Sequence, residues 1–96
     1  MRRRNSENIG EVVLRFLRAN SLEAPLNEFR LINAWAKVAG PAAERFTERV
    51  EVKNQTLYVH LRSATLRAEL TMQRTDLVRR LNNAVQAQVI TDIHFT

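Results

Sequence analysis

The spacing of apolar residues changes period along this chain, and that change does more than any motif to restrict its fold. Up to about residue 46 the apolar residues recur at the 3.6-residue interval of a helix. From Arg49 to Arg62 they alternate, and after Ser63 the helical interval returns before a last segment of strand composition. A period near 2 places successive side chains on opposite faces of a strand, whereas 3.6 gathers them into one stripe. The chain therefore predicts helices on either side of a hairpin, then a further strand.

In the first helix, from Ser6 to about Ala19, Ile9, Val12, Val13, Phe16 and Leu17 form one stripe. Asn5 or Ser6 can cap it, and Glu7 and Glu11 suit the positive end of its dipole. Asn20-Ser21 interrupts it. The second helix is bracketed by Pro25, suited to the first helical position, and by Gly40, a natural left-handed residue just past Ala39. Its apolar residues Phe29, Leu31, Ile32, Trp35, Ala36, Val38 and Ala39 cover a broad arc, which predicts burial on more than one side. Gly40-Pro41 leads into a short turn of helix through Ala42, Ala43 and Phe46.

Val50 and Val52 alternate with Arg49, Glu51 and Lys53; beyond Asn54-Gln55, Leu57, Val59 and Leu61 alternate with Tyr58, His60 and Arg62. This is an antiparallel hairpin. Asn54 tolerates positive φ, although a tight two-residue turn more often carries glycine. Ser63 offers a cap to a third helix running to about Gln86, some 35 Å at about 1.5 Å per residue, with Leu66, Leu70, Leu77, Leu81 and Ala84 in a narrow arc. The final strand is expected over Val89–Phe95, with Val89, Ile93 and Phe95 on one parity. A right-handed β-α-β crossover sets this strand parallel to the second hairpin strand, beside either hairpin strand. All helices are expected to cover the sheet face made by Val50, Val52, Leu57, Val59, Leu61, Ile93 and Phe95, because the other face is polar. The result is a two-layer α+β domain over residues 6–96, in the order α-α-β-β-α-β, with one open sheet face. Residues 1–5 precede it as a flexible basic terminus.

With two glycines in 96 residues, G-x-G-x-x-G and Walker-type phosphate loops are impossible, and with no cysteine so are disulfide frameworks, zinc ribbons and thiol nucleophiles. No cofactor is implied. No apolar run approaches the roughly 18 residues of a membrane span, and the basic start lacks an apolar leader core, so a cytoplasmic protein is expected. The formal net charge of +5 points to an anionic partner. That charge is spread out: residues 1–48 hold eight basic and six acidic side chains, and residues 49–96 hold seven and four.

Convergent catalytic groups are scarce, and no enzyme is expected. His60 and His94 share the outward parity and can approach each other, but no acidic residue at ligand spacing accompanies either, so solvated histidines are the simpler reading. Glu69 and Asp76 lie seven apart on a helix, too far for an acid/base pair. The open sheet face carries Lys53 and Tyr58, a basic surface with one aromatic suited to single strands; an ordinary amphipathic strand pair has the same pattern. Arg62, Arg67, Arg74 and Arg79, with Arg80, form the densest basic region, suited to a phosphate backbone or to snorkelling over a core. Leu14 and Met72, off their helices' apolar arcs, are candidate contacts for a protein partner, while Trp35 reads as core. Arg2, Arg3 and Arg4 can add phosphate contacts.

The segment Asn33-Ala34-Trp35-Ala36-Lys37-Val38-Ala39-Gly40-Pro41 carries a resemblance, together with the hairpin stretch Asn54–Leu61. Ser63, Leu66, Glu69-Leu70, Leu77, Arg80-Leu81-Asn82 and Val89 through Phe95 complete it. In order and spacing these landmarks resemble the bacterial DciA family, over nearly the whole chain. The resemblance implies a fold similar to a K-homology domain and a role in loading the DnaB-type replicative helicase, with weak affinity for single-stranded DNA or other nucleic acid. The G-x-x-G loop by which K-homology domains clamp a backbone is missing here. Three functions therefore compete: a helicase accessory protein, expected to be monomeric; a stand-alone single-strand binder; and an adaptor for another acidic protein through Leu14 and Met72.

Overall fold

The structure, a computed structural model, describes residues 9–19 and 23–96. The elements run α1 Ile9–Ala19, α2 Glu23–Ala39, α3 Pro41–Phe46, β1 Thr47–Lys53, β2 Thr56–Leu61, α4 Ala64–Met72, α5 Arg74–Val85 and β3 Asp92–Phe95. The α+β class and the order of elements follow the sequence pattern. The expected caps at Asn5 and Ser6, Glu7, the Arg2–Arg4 arm and the Asn20-Ser21 break lie outside the described residues.

The sheet order is β1-β2-β3, with β1 and β2 antiparallel and β2 and β3 parallel. This settles which hairpin strand β3 joins. As the central strand, β2 buries Leu57, Val59 and Leu61, and Ile93 of β3 joins them; Val50, Val52 and Phe95 on the outer strands are half-buried. The hairpin turns in two residues, Asn54 (φ 52°) and Gln55 (φ 62°), the left-handed pair that matches strand twist. Gln55 manages without being glycine, and its carbonyl accepts the Thr91 amide at 2.8 Å, tying the turn to the entry of β3.

Trp35 of α2 anchors the helical layer. It is 2% exposed, its ring centroid lies 6.0 Å from that of Phe95, and its Nε1–H donates to Thr47 Oγ1 at 3.0 Å. A buried indole thus gains both apolar contact and a partner for its one donor. The helix begins two residues before the predicted start, with Pro25 in the first turn, where amides have no intrahelical acceptor and a proline ring is tolerated.

Gly40 closes α2 and opens α3: its amide donates to Ala36 O and its carbonyl accepts from Glu44, both at 3.0 Å. Its φ of 101° with ψ of 175° lies in a region essentially reserved for glycine. An added Cβ would meet nothing within 4 Å, so the requirement is one of backbone conformation and not of space. Gly40→Ala is expected to cost about 1–3 kcal/mol, read as a lower urea midpoint at unchanged slope; an unchanged midpoint would contradict this.

Three expectations are corrected. The single long third helix is two, broken at Gln73 (φ −100°, ψ 9°), whose amide closes back three residues onto Leu70 O. The break lets α4 lie against β2 and β3 while α5 turns to pack along α2. It also resets the stripe, so that Leu77, Leu81 and Val85 are buried and Ala84 is exposed. The last strand starts at Asp92, not Val89. Asn82, buried on α5, accepts the amides of Val89 and Ile90 on Oδ1 (3.0 and 3.1 Å) and donates from Nδ2 to Ile90 O (2.8 Å), holding that segment as a loop with Ile90 fully buried. Third, not every helix covers the sheet. Of the α1 stripe, Ile9, Val12, Val13 and Phe16 are exposed, Ile9 at 82% and Phe16 at 62%, and Phe29 of α2 is also outside the core. The sheet face is small, and α2, α4 and α5 already fill it.

Candidate functional site

The outer face of the sheet is a grid of nine side chains centred on Tyr58. Strand register puts Glu51, Tyr58 and His94 in one row, Lys53, Thr56 and Asp92 in the row toward the hairpin turn, and Arg49, His60 and Thr96 in the row at the other end. This follows from the period of 2: whatever alternates with Leu57, Val59 and Ile93 must lie outside.

Tyr58 and His94 meet edge to face, with centroids 5.7 Å apart and planes at 66°. His60 is held on both ring nitrogens. Arg49 Nη2 lies 3.1 Å from Nε2, and because a guanidinium can only donate, Nε2 accepts. The proton of the neutral ring then sits on Nδ1 and donates to Thr96 Oγ1 at 2.7 Å. Arg49 Nε also pairs with Glu51 Oε2 at 3.1 Å, which fixes the plane of the guanidinium beside the histidine. Arg49, Glu51, Lys53, Asn54, Tyr58 and His60 line an open depression of about 460 Å³. The two carboxylates of the grid are both matched, Glu51 by Arg49 and Asp92 by Arg74 of α5 at 3.2 Å. Lys53 is exposed and has no described carboxylate within ion-pair distance, so its charge is uncommitted.

Each arginine of the predicted basic region has a partner of its own. Arg62 donates to Arg45 O at 2.5 Å, and its guanidinium lies 5.8 Å from the Phe46 ring centroid. Arg67 is half-buried and donates to Leu61 O at 3.0 Å. Arg74 reaches the sheet edge through Asp92. Arg79 pairs with Asp76, and Arg80 donates to Val38 O at 2.9 Å. Helix arginines near a packed layer find backbone carbonyls to serve, which linear spacing does not reveal.

The second surface is apolar. Of the seven large hydrophobic residues exposed among the described residues, Ile9, Val12, Val13, Leu14 and Phe16 lie on α1. Leu14 is 36% exposed and Met72, at the end of α4, 88%. Sequence reasoning put Leu14 forward and assigned its four neighbours to the core. Periodicity marks a stripe but carries no sign that distinguishes a core from a partner.

Among the described residues no three His, Asp or Glu side chains converge as a metal site, and no helix is long and apolar enough to cross a membrane. A further hollow of about 400 Å³ between the start of α2, the hairpin turn and the loop before β3 is lined by Glu23, Glu28 and amide side chains, without a nucleophile and base in contact.

These features define a small two-layer α+β domain with two candidate surfaces, one polar and aromatic and one apolar. The chain belongs to the DciA family, "Dna[CI] antecedent, DciA", whose family model matches residues 8–95. That family is associated with loading of the DnaB-type replicative helicase in bacterial DNA replication and is generally non-enzymatic. No individual curated protein matches the chain.

Proposed function

We propose that this chain is a non-enzymatic, monomeric, cytoplasmic accessory protein of bacterial replication that binds the DnaB-type helicase, helps to load it, and holds nucleic acid weakly. The observation that carries the reading is the family match over nearly the whole chain. The order of elements also supports the K-homology likeness. For the helicase contact the stripe of α1 is the favoured face, with Leu14 at its border and Met72 as a separate apolar point, because it gathers most of the exposed large hydrophobics on one helix. For nucleic acid the candidates are Lys53, Tyr58, Arg62, Arg67, Arg74 and Arg79. Lys53, Arg62 and Arg67 have no ion pair among the described residues, but Arg62 and Arg67 already donate to backbone carbonyls, which leaves Lys53 the least committed, while Arg74 and Arg79 divide their charge between phosphate and a carboxylate.

Purified chain is expected to retain the cognate helicase in a pull-down at low salt, and failure to recover it would end this reading. Ile9→Gln with Phe16→Gln is expected to abolish retention while changing stability by less than about 0.5 kcal/mol each, as exposed positions do. Retention by that double variant would move the contact elsewhere, and Met72→Gln tests the next candidate.

The sheet face favours one other reading, a stand-alone single-strand binder. It predicts the same nucleic-acid affinity with no helicase retained, and an affinity that falls with salt as counterions are released.

A further inference from the structure

We infer that the open sheet face is a stacking platform for unpaired nucleobases, formed by Tyr58 and His94 with Arg49 and His60 beside them. The inference rests on the nucleic-acid part of the proposed function and goes beyond it by naming the mode of recognition and a residue set that the basic cluster does not contain.

The sequence offers one tyrosine on this face, but the register makes the platform broader. Because β3 pairs with β2 and not with β1, His94 arrives beside Tyr58 at 5.7 Å. With the planes at 66°, a base laid flat on one ring meets the other at its edge, so the pair holds a base on two sides. His60 follows Tyr58 by two residues on the same strand face, and its ring is fixed from both nitrogens. The Arg49 guanidinium, held by Glu51 and His60, is a further flat cationic surface already set in place. Rings and guanidinium planes of these types are the groups on which splayed bases stack. Their pre-ordering removes part of the entropic cost of binding.

Charge agrees with a stacking mode over a phosphate-tracking one. With Glu51 and Asp92 each matched by an arginine, Lys53 is the only uncommitted full charge of the grid. Such a face neutralises few phosphates, so its affinity depends weakly on salt and on base identity. Duplex DNA, whose bases are covered, gains nothing from the rings.

The test uses the intact 96-residue chain and fluorescence anisotropy with a labelled oligothymidylate, its duplex with oligoadenylate, and a salt series. The expected result is single-strand binding with a log–log salt slope of about −0.7, the one phosphate contact that Lys53 can make, and weaker duplex binding. Tyr58→Ala and His94→Ala should each weaken single-strand binding about tenfold or more with the slope unchanged. Tyr58→Phe, which keeps the ring, should weaken binding far less than Tyr58→Ala does, and Lys53→Gln should make the slope shallower. His94 is exposed, so its variant tests the platform even if Tyr58→Ala disturbs the sheet. Parent-like binding by His94→Ala and Tyr58→Ala, with loss on Arg74→Gln and Arg79→Gln, would overturn the platform and leave the nucleic-acid reading standing. No binding by the parent chain would overturn both and leave the helicase pull-down unaffected.

Discussion

Truncating Trp35 to Ala is expected to lower stability by about 3–5 kcal/mol, the range for removing a large aromatic from a packed interior. Small domains have only about 5–15 kcal/mol in total, so the variant should melt about 12–40 °C lower at roughly 4–8 °C per kcal/mol for this size. The reason is position. The indole joins α2 to the sheet through Phe95 and to the start of β1 through Thr47, whose hydroxyl in turn donates to Ala43 O. Removing it leaves a cavity where three elements meet and takes away a hydrogen-bond donor. Trp35→Phe keeps the ring contact and loses the donor, and should cost about 1–2 kcal/mol. Equal melting temperatures for Trp35→Ala and the parent would refute the assignment of this residue as the anchor of the core.

Asn82→Ala is the second large effect, about 2–4 kcal/mol. One largely buried amide side chain bonds the amides of Val89 and Ile90 and the carbonyl of Ile90. Alanine leaves the amides of Val89 and Ile90 without their acceptor in a place where each is costly to desolvate, while Ile90 O keeps the Gln88 Nε2 donor at 3.2 Å. Hydrogen exchange should show the change as faster exchange at Val89 and Ile90 before any global unfolding. Continued protection of those two amides in the variant would show that another group holds the loop.

Both residues stand in the stretches that carry the family resemblance, and both have structural work that explains their presence. Trp35 was legible as core from its place in the broad apolar arc of α2. Asn82 was not. A polar residue between Leu81 and Val85 reads as the wet side of a helix, and only the path of the following loop brings two amides and a carbonyl to it.

The same division runs through the candidate surfaces. Which side chains face outward on β1, β2 and β3 followed from alternation alone, so Lys53, Tyr58, His60 and His94 were placed on the open face from the sequence. That Tyr58 and His94 are neighbours depended on β3 pairing with β2, an alternative the sequence left open. The arginines between Arg62 and Arg80 looked like one basic region because they are close in number. In the folded chain they have different neighbours, and Arg62, Arg67 and Arg80 donate to the backbone carbonyls of Arg45, Leu61 and Val38. The apolar stripe of α1 was recognised correctly as a stripe and wrongly as core, because three other helices occupy the space that it would have filled.

By itself, then, the sequence determined the type and order of the elements, the two-layer α+β class, the inward and outward parity of each strand, and the special backbone at Gly40. All of these are local, decided by steric rules and by the angle between successive side chains. Tertiary structure decided what each face meets: which strand β3 joins, where the third helix breaks, which arginines are committed to neighbours, and that Ile9, Val12, Val13 and Phe16 of α1 are exposed. Those depend on competition for a limited sheet surface and on pairings between residues far apart in the chain, and a period measured along one segment contains no information about either.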